Sequence, residues 1–126
     1  MSLLSAFNSQ MESFSSEICE VFPNDTDLKM GHNVIILLKK TNPRKLLEMY
    51  TIYVSDFKKS IDEEDESFFI DHDFKDIANK NNNKEFTFHL VIKLKQYWKS
   101  LSEKNKEIIW QYFQVLNKLS DKLLNP

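Results

Sequence analysis

Apolar residues recur along most of this chain at intervals of three and four, the period of helices that bury one face. Leu4, Phe7, Met11, Phe14, Ile18 and Val21 form the first stripe and predict a helix from about Leu3 to Val21. Pro23 ends it, since proline has no N–H to continue the ladder. Asn24 is placed to cap a second helix whose first turn holds Asp25 and Asp27, where acids suit the positive end of the helix dipole. Its expected buried face is Met30, Val34, Leu37 and Leu38. Gly31 weakens that helix by about 1 kcal/mol relative to alanine. A third helix starts at Asn42-Pro43, with Asn42 as cap and Pro43 at the first position, where the missing N–H costs nothing. Leu47, Tyr50, Val54, Phe57 and Ile61 continue it, widened by Leu46 and Tyr53.

The pattern then changes. From Asp62 to Asp76 there are eight acids against one base, a net charge of −7 in a chain whose total is −2, so the remainder is +5. Phe68, Phe69, Ile70 and Phe74 lie within this run, which predicts a segment that inserts aromatics into the core and keeps its carboxylates in water. Asn79 and Asn81 to Asn83 read as a flexible link over about 79–84. A fourth long helix is expected from Phe86 or Thr87 to Leu101, using Leu90, Val91, Leu94, Tyr97, Trp98 and Leu101. Ser102 caps the last, in which Ile109, Phe113, Leu116, Leu119 and Leu123 repeat at helical spacing. Trp98, Trp110, Tyr112 and Phe113 are dense enough to require burial between these two helices, a C-terminal helical hairpin.

Composition narrows the class. A length of 126 residues suits one domain with its own core. One glycine and three prolines leave little turn chemistry for a sheet or a glycine-lined nucleotide site. The expected fold is all-α: a single-domain bundle over residues 1–126, of about five main helices, with an acidic connecting segment. Cys19, the one cysteine, cannot form an internal disulfide and lies in an apolar stripe, so it reads as a packed thiol in a reducing compartment. No stretch approaches the roughly 20 apolar residues of a membrane span, and neither a targeting signal nor a membrane partner is expected.

Chemistry-bearing motifs are sparse. Asp62 as the first ligand of a calcium loop would bring in Glu64, Glu66 and Asp73, but Ser67 stands where the loop needs glycine. Asp71-His72-Asp73 supplies adjacent ligands without a distant partner. Three histidines (His32, His72, His89) could meet a serine in space, yet no serine elbow or oxyanion-hole pattern appears. No catalytic residue, metal or cofactor is therefore expected, and the chain reads as a non-enzyme. Binding is the better reading. Lys39, Lys40, Arg44 and Lys45 gather at the turn between the second and third helices, and Asp65, Glu66, Phe68 and Phe69 mark the acidic aromatic segment. These eight are the candidate partner-binding residues. Nucleic acid is a weaker alternative: Lys93, Lys95, Lys99, Lys104 and Lys106 interleave with Tyr97 and Trp98, but the chain is net acidic and holds one arginine.

Phe7, Phe22-Pro23, Asp25 to Asp27, Lys40-Thr41-Asn42-Pro43-Arg44, Tyr53-Val54 and the run from Asp65 to Ile70 form one set of motifs. Tyr97-Trp98-Lys99-Ser100-Leu101, Asn105-Lys106, the run from Trp110 to Leu116 and Lys118-Leu119 complete it. Together, over nearly the whole chain, they resemble small helical proteins encoded by large nucleocytoplasmic DNA viruses, those of the mimivirus-like group and of algae. The resemblance brings no catalytic motif. It implies production in a viral factory of the host cytoplasm, with packaging in the virion left open. Two expectations follow: a structural or assembly component that bridges viral proteins, or an infection-stage adaptor that binds a host or viral protein, or nucleic acid, through the basic turn. A homo-oligomer is compatible with either, because the apolar stripes are wider than one core requires.

Overall fold

The computed structural model of the protein describes residues 2–54, 57–70 and 93–126, with the side chains of Tyr53, Phe68 and Phe69 excepted. The expectations for Asp71, His72, Asp73 and Phe74, for the 79–84 link, and for His89, Leu90, Val91 and the start of the fourth helix fall outside these residues. Among the described residues every element is helical. In chain order they are α1 (Leu3–Val21), α2 (Thr26–Thr41), α3 (Pro43–Val54), α4 (Lys58–Asp62), α5 (Ser67–Ile70), a helical stretch at 93–97 that tightens into the 3-10 turn Trp98–Ser100, and α6 (Glu103–Leu124).

The end signals explain these limits. Ser2 caps α1 by accepting the Ser5 N–H at 3.0 Å, and Ser102 caps α6 by accepting the Asn105 N–H at 3.1 Å. α2 is capped one residue later than expected, by Asp25 and not Asn24: its carboxylate accepts the Leu28 N–H at 3.1 Å. A carboxylate serves better than an amide there because it meets the helix dipole and also accepts the Tyr97 hydroxyl at 2.5 Å. The stripe from Leu47 to Ile61 is divided between α3 and α4, not one helix. Phe57, with φ −113° and ψ 13°, is the cap from which α4 restarts. The restart buries Ile61 fully and packs α4 on α6.

α1 packs against α2, α3 and α6, and α2 also packs on α3. Lys39–Glu12 at 2.8 Å and Ser15–His32 at 2.6 Å set α1 and α2 antiparallel. Among the described residues the large buried apolar side chains belong to one cluster, including Phe7, Phe14, Ile35, Leu46, Leu94, Trp98, Trp110 and Leu116. The fold is an all-α single-domain bundle. Phe14 meets Tyr112 and Phe113 with ring centroids 5.1 and 5.2 Å apart, and Phe7 meets Tyr50 edge-on at 5.4 Å. Polar groups within the core are directed at particular partners. Asn8 donates to the Pro43 carbonyl at 2.9 Å, tying α1 to the start of α3, and the buried Tyr50 hydroxyl donates to Asn117 Oδ1.

The buried face of α2 is a correction. Leu28, Gly31 and Ile35 point inward, while Met30 and Leu37 are exposed and Val34 and Leu38 half-buried. The helix carries two apolar stripes, and the one that includes glycine was taken by the core. A residue without Cβ lets the α2 backbone approach its neighbours closely.

Tyr97 joins the hairpin to the corner between α1 and α2. Its ring stacks on Phe22 at 4.0 Å, and Lys93 bridges Asp25 and Asp27 at 3.3 and 3.4 Å. Burial alone would raise the Asp25 pKa, but the Tyr97 hydroxyl, the Leu28 N–H and the Lys93 ammonium outweigh it and hold the group below the usual carboxylate range. The sign of the linkage follows: a lowered folded-state pKa gives stability that is present above the unfolded value and lost as pH falls through the folded one. Asp25→Asn keeps a cap but removes the charge, so it should cost roughly 1–2 kcal/mol at pH 7. The gap between variant and wild type should shrink below pH 4. Urea midpoints at pH 7 and pH 3 measure this, and a gap unchanged between them would remove the Asp25 charge from the account.

Candidate functional site

Two of the expected features meet in three dimensions: the acidic segment and the hairpin. The turn between α4 and α5 closes the end of α4, where the Asp65 N–H reaches the Ser60 carbonyl at 2.8 Å and the Glu64 N–H reaches Ile61 at 3.1 Å. This paired helix-ending turn puts its central residue in the left-handed region, usually a glycine position. Here it is Glu64, at φ 53°. Asp65 then accepts the Ser67 N–H at 3.0 Å, which lowers the pKa of its carboxyl from the ordinary value.

Glu66 fixes this turn to the hairpin. The indole N–H of the fully buried Trp98 donates to Glu66 Oε1 at 3.2 Å, and Lys106 Nζ lies 3.3 Å from the same oxygen. Lys106 also reaches Glu103 at 3.5 Å and stands 5.5 Å from the centre of the Trp98 ring. Beside this clamp opens a cleft of about 460 Å³ lined by Glu64, Glu66, Glu103, Lys106, Glu107 and Trp110. Four carboxylates and one ammonium make a negative opening with an indole in its wall. Such a surface favours cationic side chains, held by carboxylates and attracted to aromatic faces.

The other candidate residues are placed differently. Lys39 is half-buried and committed to Glu12, whose carboxyl pKa it lowers from the ordinary value. Lys40 and Arg44 are exposed at the corner between α2 and α3, and Lys45 is half-buried there. Asp65 and Glu66 are on the turn just described. The side chains of Phe68 and Phe69 lie outside the described set. Glu64, Glu103, Lys106, Glu107 and Trp110 were not expected at this site. They come from segments some forty residues apart, and the one signal in the sequence was the need of a buried indole N–H for an acceptor.

Other chemical readings are constrained by geometry. Ser15 and His32 do meet, but Ser15 is fully buried and its hydroxyl donates to the Glu12 carbonyl at 3.0 Å. His32 Nδ1 lies 2.6 Å from the same oxygen. The contact is a link between helices rather than an activated nucleophile. Among the described residues, no three of histidine, cysteine, aspartate and glutamate stand together as a metal site, and no helix is long and apolar enough to cross a membrane. Base stacking on Trp98 is closed off by its burial, and Tyr97 is already stacked on Phe22. Cys19 is half-buried, and burial pushes its thiol pKa up, away from thiolate reactivity.

The acidic cleft sits on an all-α bundle. No family model, curated protein or solved structure matches the chain.

Proposed function

We propose that the protein is a non-enzymatic interaction protein, a structural or assembly component of a large nucleocytoplasmic DNA virus. On this reading it binds a basic segment of a viral or host protein in the cleft between the α4–α5 turn and α6. The observation that supports it is the clamp of Glu66 by Trp98 and Lys106, which fixes the acidic turn beside an indole-walled opening. A preorganised site loses less ordering entropy on binding than a free acidic tail. The viral assignment rests on the motifs that resemble such proteins, which imply production in a viral factory; presence in the particle is what the structural reading adds.

A second reading has its own observation. Lys40 and Arg44 are both exposed at the α2–α3 corner, which suits an infection-stage adaptor for an acidic partner or nucleic acid. Quantitative mass spectrometry of purified virions beside infected-cell lysate separates the two. The structural role predicts many copies per particle. Presence in lysate with absence from particles would overturn it in favour of the adaptor.

A further inference from the structure

The acidic cleft already holds a cation, and that cation belongs to the chain itself. The Lys106 ammonium lies 3.3 Å from Glu66, 3.5 Å from Glu103 and 5.5 Å from the centre of the Trp98 ring. Its side chain is 14% exposed, the least of the three charged groups in this contact. The hold is nonetheless loose. Ammonium–carboxylate hydrogen bonds run at about 2.7–2.9 Å, so both contacts are long, and Glu66 and Glu103 are 48% and 92% exposed. Ion pairs so open to solvent contribute little.

Neighbouring groups do not require the ammonium either. Glu66 keeps a second anchor, because its Oε1 also accepts the Trp98 indole N–H at 3.2 Å. Lys106 stands near the N-terminal end of α6, where the helix dipole disfavours a cation. Among the described residues no cation pairs with the side chains of Glu64 or Glu107, which line the same cleft. The opening therefore stays negative with Lys106 seated in it.

From this geometry we infer that Lys106 is a built-in competitor, whose ammonium fills the place of a partner's arginine and leaves the cleft when the basic segment binds. This rests on the reading of the cleft as a site for such a segment and adds how entry to it is controlled. A partner lysine would offer only what Lys106 already supplies. A guanidinium offers a planar fork, and Glu66 and Glu103 both lie close enough to one nitrogen for a fork at that place to engage the two.

The test is fluorescence anisotropy with a hexa-arginine peptide capped by fluorescein, against the full chain and its Lys106→Met and Lys104→Met variants, with circular dichroism melts to check folding. Methionine keeps the length of the stem and removes the competitor. Lys106→Met should bind about threefold to tenfold more tightly, as expected when a site becomes fully available. Lys104→Met, the same charge change at an exposed position two residues earlier, should move affinity far less. A second measurement needs no variant: brief acetylation of wild type, read lysine by lysine by mass spectrometry. Displacement predicts that the peptide raises the labelling of Lys106, whereas a bystander in an occupied cleft would be shielded. Three results would overturn the competitor while leaving the cleft reading intact: Lys106 labelling no faster in the complex, Lys106→Met binding no more tightly than wild type, or Lys104→Met tightening as much. Failure of the peptide to bind wild type and Lys106→Met alike, or binding undiminished by Glu64→Gln with Glu107→Gln, would overturn the cleft reading and this inference with it.

Discussion

Trp98→Ala and Trp110→Ala should each lower the unfolding free energy by about 3–5 kcal/mol, the range for truncating a large buried aromatic. Trp98 is fully buried and Trp110 nearly so, and their rings meet edge-on with centroids 5.2 Å apart. Trp98 carries a second burden, because its indole N–H and its ring face hold Glu66 and Lys106 in place. Its loss therefore opens the acidic turn as well as the core. The double variant should cost less than the sum of the two, by about 1 kcal/mol for the shared ring contact. Urea denaturation of the two single variants and the double variant measures all three quantities. Midpoints that stay at the wild-type value would place the rings outside the core.

Gly31→Leu should destabilise by about 1–3 kcal/mol or more, because the side chain is forced into a packed helix face. Gly31→Ala makes the sharper comparison. At a solvent-facing helix position it would gain up to about 1 kcal/mol from helix propensity. On the buried face of α2, between Leu28 and Ile35, the added methyl must displace a neighbour, and the gain should vanish or reverse. Chemical denaturation of the two variants decides the matter. A Gly31→Ala protein more stable than wild type by the full propensity difference would show that no close approach exists at this turn.

The elements that sequence reading placed well are those whose signal is local. Pro23, Asn42-Pro43 and Ser102 each act within one turn of the helix end they set, and the end of α1 and the starts of α3 and α6 follow from them. The face of α2 was not legible in this way. Two apolar stripes satisfy the same periodicity, and the choice between them was made by what α1 and α3 offer, a tertiary fact. The turn at Glu64 had no sequence signal either, because the left-handed position that glycine usually marks is held here by glutamate. The same reason hid the cleft. Glu66, Trp98 and Lys106 become neighbours only when the hairpin folds back on the α4–α5 turn, and the acidic run shows its charge without showing what it faces. The basic turn at Lys39, Lys40, Arg44 and Lys45 was visible as a cluster, yet its first member is engaged with Glu12 across the α1–α2 interface.

The measurement that tests the central claim most directly is lysine cross-linking with mass spectrometry on purified virus particles. Lys59 and Lys104 are exposed on α4 and α6, the elements beside the cleft, whereas Lys40 is exposed at the α2–α3 corner. A component that seats a basic segment in the cleft predicts an abundant particle protein whose links to another protein concentrate on Lys59 and Lys104. Links to other proteins at Lys40 alone, or a chain missing from the particles, would contradict it.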